Sequence, residues 1–412
     1  MEIRVRFVSV DGLEALHHGL TALGFPAPAR EMLASGSMQG HLLVTGLSAE
    51  ALAVCRELAA RAEMPRLVEG ATPGALLISG RLGAFKLLGE ALQRRADVEG
   101  AAVCGGKILR ACFYAGERPV VRVRDLVLGA GPAQVMGILN VTPDSFSDGG
   151  TLLSEEALLR RAELLVEAGA TLLDVGGEST RPRGIYGEGA RPVDAAEERA
   201  RVEPAVRALR RRFPDVVISV DTSKAEVARA ALGEGADLVN DVRGLKDDEL
   251  ARVVAESGAP CCLMHMPAEP DEMARHTDYE DVVGEVAEAL VARVDAAIAR
   301  GVRPDGILVD PGFGFGKTFG QNLVLLRELE NLRASVGRPI LVGTSRKGFL
   351  GHVTGRPVGE RDAATAASVA VAIAHGAAVV RVHDAAACRD AVLVASAVAQ
   401  ATEAGRLFTE AE

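Results

Sequence analysis

Val135-Met136-Gly137-Ile138-Leu139-Asn140 is an apolar run that stops on an amide; Val141-Thr142-Pro143-Asp144-Ser145 follows before a helical stripe opens at Glu155. Runs of the same kind recur at Thr171–Asp174, Val216–Asp221, Asp237–Asp241, Pro260–His265, Gly306–Asp310, Pro339–Lys347 and Ala378–Asp384. Helical periodicity fills the intervals, at Glu155–Ala168, Asp194–Arg212, Lys224–Leu232, Asp247–Ser257, Tyr279–Arg300, Asn322–Ser335, Ala363–His375 and Ala385–Thr402. In the first of these, Leu158, Leu159, Leu164 and Leu165 form the apolar stripe. Strand followed by helix, repeated in this way, predicts an α/β protein built on a closed (β/α)8 TIM barrel.

In such a barrel the chemistry sits where the strands end. Here the strand ends carry Asn140, Asp174, Asp221, Asn240, Asp310, Lys347, Arg381 and His383. Packing requires none of them. Asp221, Asn240 and Asp310 are the wall that a flat heterocycle with amino and oxo groups needs, because carboxylates accept from ring N–H and amino groups while an amide both donates and accepts. For Asp221 the alternative is a helix N-cap, since Thr222 and Ser223 lead into a helix. Thr344-Ser345-Arg346-Lys347 and Arg381-Val382-His383 place cations and an imidazole at neighbouring strand ends, which suits a phosphate or carboxylate. The competing reading is that Asp384 and the acids of other strands neutralise that cluster.

The 412 residues are 48% hydrophobic and 25% charged, an ordinary globular composition. A net charge of −10 argues against a general nucleic-acid binder. The six cysteines form no CxxC pair and Met1–Phe7 lacks the apolar core of a secretory signal, so the reading is a cytoplasmic protein with reduced thiols and no membrane segment. One barrel takes about 250 residues. Residues 1–115 therefore form a separate small α/β domain, with strands expected at Ile3–Ser9, Gly40–Thr45, Gly74–Ile78 and Lys107–Phe113, and helices at Leu13–Leu23, Ala49–Ala60 and Phe85–Arg95. Gly105-Gly106-Lys107 reads as a turn, and nothing in this domain states its function. The barrel spans 116–405, with 116–132 as a link that could plug its N-terminal mouth, and 406–412 are a tail.

No His/Cys metal cage is evident. A Mg2+ held mostly through substrate phosphate oxygens needs only one or two protein oxygens, and Asn140 could supply one.

Taken together, Gly137–Gly150, Glu178-Ser179-Thr180-Arg181-Pro182, Ser219–Ser223, Asp310–Lys317, Thr344–Gly348 and Arg381–Asp384 resemble the dihydropteroate synthase family. The resemblance covers about Val120 to Gly405. It implies a transferase of folate biosynthesis that joins a dihydropterin hydroxymethyl diphosphate to 4-aminobenzoate by SN1-like loss of diphosphate. It also implies pterin contacts at Asp221, Asn240, Asp310, Lys347 and Met264, with Asp174 lining that pocket. Asn140, Arg381 and His383 would hold diphosphate with Mg2+, and Asn140 would touch the metal. Thr180, Arg181, Pro182, Phe315 and Ser345 would form the aminobenzoate wall, where sulfonamides compete. Lys347, Asp174, Arg381 and His383 would carry the catalysis. The implied assembly is a homodimer through late barrel helices, and the alanine-rich Ala363–His375 face suits close packing. The family's second loop usually runs Arg-Pro-Gly, whereas here Arg183 follows Pro182. Two rivals remain: a methyltetrahydrofolate-binding barrel of a corrinoid methyltransferase, and a non-catalytic pterin-binding homologue.

Overall fold

A computed structural model of the chain describes residues 3–7, 40–61, 63–115, 119–142, 155–178, 193–269 and 272–401. These residues fall into two compact units whose main break lies between Arg118 and Pro119.

The first unit has strands β1 (Arg4–Phe7), β2 (Gly40–Thr45), β3 (Arg66–Glu69) and β4 (Leu76–Gly80) in one antiparallel sheet ordered β1-β2-β4-β3. Its helices are α1 (Ala49–Ala59), α2 (Leu82–Gln93) and α3 (Ala101–Ala115). Alternation along the strands sends Leu42, Val44, Leu76 and Ile78 to one face, where they meet Val54 and Leu58 of α1, Phe85 and Leu88 of α2, and Cys104 and Ile108 of α3. The strand expected at Lys107–Phe113 is therefore wrong. Ala101, Cys104, Ile108, Ala111 and Cys112 are buried at helical spacing, so the period is that of a helix. Gly105 is no turn: a Cβ there would lie 2.5 Å from Gly89 O, so the bare backbone lets α2 and α3 touch. β3 was not anticipated, and the helix expected at Leu13–Leu23 lies outside the described residues.

The second unit opens with an antiparallel hairpin, β5 (Val121–Val123) and β6 (Leu126–Leu128). The alternation over Val120–Leu128 is interrupted by a turn, with Arg124 at φ +50°. Arg124 donates to Asp237 Oδ1 at 3.2 Å and to Pro214 O at 2.7 Å, which ties the turn to the barrel's N-terminal rim. Val121, Val123 and Leu128 share one core with Met136, Leu172, Val217, Leu238, Cys262, Leu308 and Leu341. The hairpin thus plugs the lower mouth, as the link was expected to.

Eight parallel strands close the barrel: β7 (Gln134–Asn140), β8 (Leu172–Gly176), β9 (Val217–Asp221), β10 (Leu238–Asp241), β11 (Cys261–Met264), β12 (Ile307–Asp310), β13 (Ile340–Val342) and β14 (Ala377–Val382). The helices around them are α4 (Glu155–Glu167), α5 (Ala195–Arg212), α6 (Ala225–Gly233), α7 (Asp248–Ser257), α8 (Val282–Ala299), α9 (Phe319–Arg327), α10 (Leu329–Val336), α11 (Gly348–Thr354), α12 (Asp362–Ala374) and α13 (Ala385–Gln400). The barrel and its preceding α/β unit are the fold read from the sequence. Three details differ. The stripe of α4 is Leu158, Ala162 and Leu165, while Leu164 is exposed. The helix read over Asn322–Ser335 is two helices, broken where Glu328 leaves helical geometry at ψ 17°. The strand read over Pro339–Lys347 ends at Val342, and Lys347 instead leads into the unforeseen α11.

Register builds the site's floor. Ile138, Asp174 and Ser219 lie abreast, and one layer higher Asn140, Gly176, Asp221 and Asn240 do the same. Among the described residues no helix is long and apolar enough to cross a membrane.

Candidate active site

The lowest polar group is Asp174, fully buried on β8. Its Oδ1 accepts from Ser219 Oγ at 2.5 Å, and its Oδ2 from Asn240 Nδ2 at 3.2 Å and Arg381 Nε at 2.6 Å. Arg381 Nη2 donates to Asp221 Oδ2 at 2.7 Å. Two carboxylates thus share one guanidinium. Burial pushes Asp221 up to about 7 against the pull of Arg381, and neighbouring Asp174 adds to the rise. Burial would lower the Arg381 affinity for its proton, but Asp174 and Asp221 outweigh it and raise it. Of the two readings of Asp221, the helix cap is absent: α6 is preceded by Lys224, and no side chain caps it.

Asp241, one residue past Asn240, is spent on its own turn. It accepts from Ser223 Oγ at 2.5 Å and from the backbone N–H of Arg243 and Leu245 at 2.9 and 2.7 Å. Asp310 ends β12 with Oδ1 accepting from Gly312 N at 2.7 Å, and burial raises its pKa while that N–H opposes the rise. Val242, Met264 and Phe315 form an apolar wall backed by Met266 and Met273.

The cationic edge adjoins this wall. Lys347 Nζ lies 4.2 Å from the centre of the Phe315 ring, a cation–π contact. His383 Nδ1 and Ser345 Oγ are 2.9 Å apart, and His383 N donates to the same oxygen at 3.1 Å. Arg346 sits at φ +58° and donates to both carboxylate oxygens of Asp362 at 2.8 and 3.1 Å. Neutralisation of the cluster is thus real but local: Arg381 has Asp174 and Asp221, and Arg346 has Asp362. Asp384 adds a weaker pull on Arg346 while its carboxylate caps α13 through Ala387 N at 3.0 Å.

These side chains surround a cavity of about 510 Å³. It is lined by Asn140, Asp221, Asn240, Met264, Asp310, Phe315, Ser345, Lys347, Arg381 and His383, all singled out in the sequence. Asp174 lies beneath the lining and reaches it through Arg381 and Asn240. Thr180, Arg181 and Pro182 lie outside the described residues. The sequence reading gave no role to Ile138, Glu178, Val242, Phe313 or Arg361, which also line the cavity. Glu178 and Phe313 stood within motifs already quoted. Arg361 had no signal, because it follows a helix that the reading did not contain.

Among the described residues no cluster of three His, Cys, Asp or Glu side chains could cage a metal ion. Asn140 offers the cavity one amide oxygen. That donor set suits a hard divalent cation that arrives on phosphate oxygens, and not one held by protein ligands alone.

A family profile described as pterin binding enzyme matches residues 136–383. The dihydropteroate synthase of Synechocystis is 46% identical over 266 residues, which cover 64% of this chain and 89% of that protein. The Escherichia coli dihydropteroate synthase is 43% identical over 269 residues, covering 65% and 93%. Among solved structures, a Yersinia pestis dihydropteroate synthase in a sulfonamide drug complex superposes with a TM-score of 0.63 at 40% identity, over 68% of this chain and 98% of that one. A Xanthomonas albilineans dihydropteroate synthase in complex with 7,8-dihydropteroate gives 0.60 at 41% identity, with the same coverage.

Proposed function

Because the chain belongs to the pterin binding enzyme family, we propose that it is a dihydropteroate synthase. It is a transferase that condenses (7,8-dihydropterin-6-yl)methyl diphosphate with 4-aminobenzoate, giving 7,8-dihydropteroate and diphosphate. The observation that carries this reading is one cavity that joins an acid–amide wall, Asp221, Asn240 and Asp310, to a cationic edge, Lys347, Arg381 and His383. A corrinoid methyltransferase barrel needs the wall but not the edge. Identity above 40% along nearly the whole length of synthases also speaks against it.

The roles follow from the chemistry. Asp310 and Asp221 accept from the amino-pyrimidine edge, Asn240 bonds the ring edge, and Met264 packs on its face. Lys347 donates to the ring. Arg381 and His383 take the charge that grows on diphosphate as the C–O bond breaks. The methylene cation left behind is stabilised by the electron-rich pterin and by the negative charge of Asp174. Phe315 and Ser345, with Thr180, Arg181 and Pro182, place the arylamine, whose nitrogen attacks second and then loses a proton. No strong base is required for that order. Mg2+, held by Asn140 and the diphosphate oxygens, would supply further charge neutralisation to the leaving group.

All six cysteines are buried and free, which fits a reducing, cytoplasmic setting. For the assembly we propose a homodimer through α12 and α13, where Val371, Leu393, Val394 and Val398 are exposed.

The decisive measurement is diphosphate release with and without 4-aminobenzoate and Mg2+. Release should require both, and Lys347→Ala should lower kcat/KM by roughly a hundredfold or more. Pterin binding without any release would establish the non-catalytic reading instead.

A further inference from the structure

Lys317 takes no part in the roles above and does not line the cavity, yet it is 8% exposed. Its Nζ donates to Gly312 O at 3.1 Å and Phe315 O at 3.0 Å, and lies 3.0 Å from His265 Nδ1. An ammonium has three donors and no acceptor, so these contacts use its whole capacity. When the lysine carries its charge, His265 Nδ1 is the acceptor and the imidazole proton lies on Nε2. Burying a lysine is costly unless its ammonium is fully bonded, and a methionine of the same length would fill the space without that cost. Burial indeed lowers Lys317 to about 7 and His265 well below its ordinary value.

Both acceptor carbonyls belong to the loop after β12, residues 311–317. That loop places Phe313, Gly314 and Phe315 on the cavity. It is neither helix nor strand, and a Cβ on Gly312 would lie 2.0 Å from His265 O. The chain therefore presses against the end of β11 along a path that side chains must hold. Asn322 holds it from the other side, accepting from Gly314 N at 2.7 Å and donating to Thr318 O at 2.7 Å. Lys317 is the clamp from below. What it fixes is the carbonyl of Phe315, the residue whose ring carries Lys347.

We propose that Lys317 is a positioning residue that sets the Phe315 face of the arylamine site by clamping the Gly312 and Phe315 carbonyls to His265. This rests on the synthase reading and deepens it: Lys317 acts mainly on the second substrate, because its hydrogen bonds go to the Gly312 and Phe315 carbonyls and only its charge reaches Asp310. Asp310 precedes the clamp and is fixed by its own strand and by Gly312 N.

The test compares the wild type with Lys317→Met and Lys317→Gln, whose amide still donates to two carbonyls. The Kd of a 6-hydroxymethylpterin probe should stay within about twofold in both variants. The KM for 4-aminobenzoate should rise about tenfold in Lys317→Met and less in Lys317→Gln, the loss expected of one or two hydrogen bonds. If pterin Kd and arylamine KM rise together, or if neither moves, the proposal is overturned. If Lys317→Met does not fold, the same ratio is read from Lys317→Gln. Wild type that binds pterin but turns nothing over would overturn the synthase reading, and the proposal with it.

Discussion

At the scale of single residues the site is governed by shared charge. Asp174, Asp221 and Arg381 form a group with two negative charges and one positive, so a proton is taken up more readily than by an isolated aspartate. Asp221 is raised to about 7 with burial as the leading cause. An acid so raised is ionised above that value and protonated below it. As pH falls through 7, Asp221 loses its hold on Arg381 and one acceptor for the pterin. The affinity of the free protein for a pterin analogue should therefore fall on acidification, approaching tenfold per pH unit on that limb. Asp221→Asn should bind more weakly throughout and flatten the limb, which calorimetric titration between pH 6 and 8 would read out. Lys347 was placed correctly for a partly wrong reason: the strand stops at Val342, yet the turn into α11 still brings its ammonium over Phe315 and beside Asp310.

At the scale of elements, legibility followed the source of each constraint. The barrel strands were readable because each is an apolar run bounded by polar residues, and because eight of them in register have one closed solution. The hairpin was readable from alternation, although the left-handed Arg124 that makes its turn left no mark. What failed was local. Gly105 and Gly106 read together as a turn because the pressure on Gly105, the touch of α2 on α3, is tertiary. Helix α11 was missed because apolar Ile340–Val342 and the motif through Lys347 merged into one long strand. With it went the cavity rim at Arg361. The hairpin carries a prediction of its own. Leu128 is fully buried where the plug meets the barrel, so Leu128→Ala should cost about 2–5 kcal/mol in urea unfolding. Site chemistry above should change little in the folded fraction, because no residue of that core lines the cavity.

At the scale of the whole molecule, every residue of the cavity belongs to the second unit. The family match begins at residue 136, and synthases of known sequence are covered almost to their full length by this part of the chain. A chain starting at Pro119 should therefore keep kcat/KM within about threefold of the full protein; a larger loss in folded material would give the first unit a place in turnover. The exposed valines of α13 test the proposed homodimer: Val394→Glu with Val398→Glu should leave only monomer in sedimentation where the wild type sediments as a dimer, with the secondary structure unchanged. The plug at the barrel's base bears on traffic. The interior above the hairpin is filled by Met136, Leu172, Val217 and Leu308 and is no passage, so whatever enters or leaves uses the strand-end mouth. On the proposed reading the pterin takes the deep end, against Asp221, Asn240 and Asp310, and so enters first. The arylamine then stands between it and the exit, and the joined product has to back out along the path both substrates took.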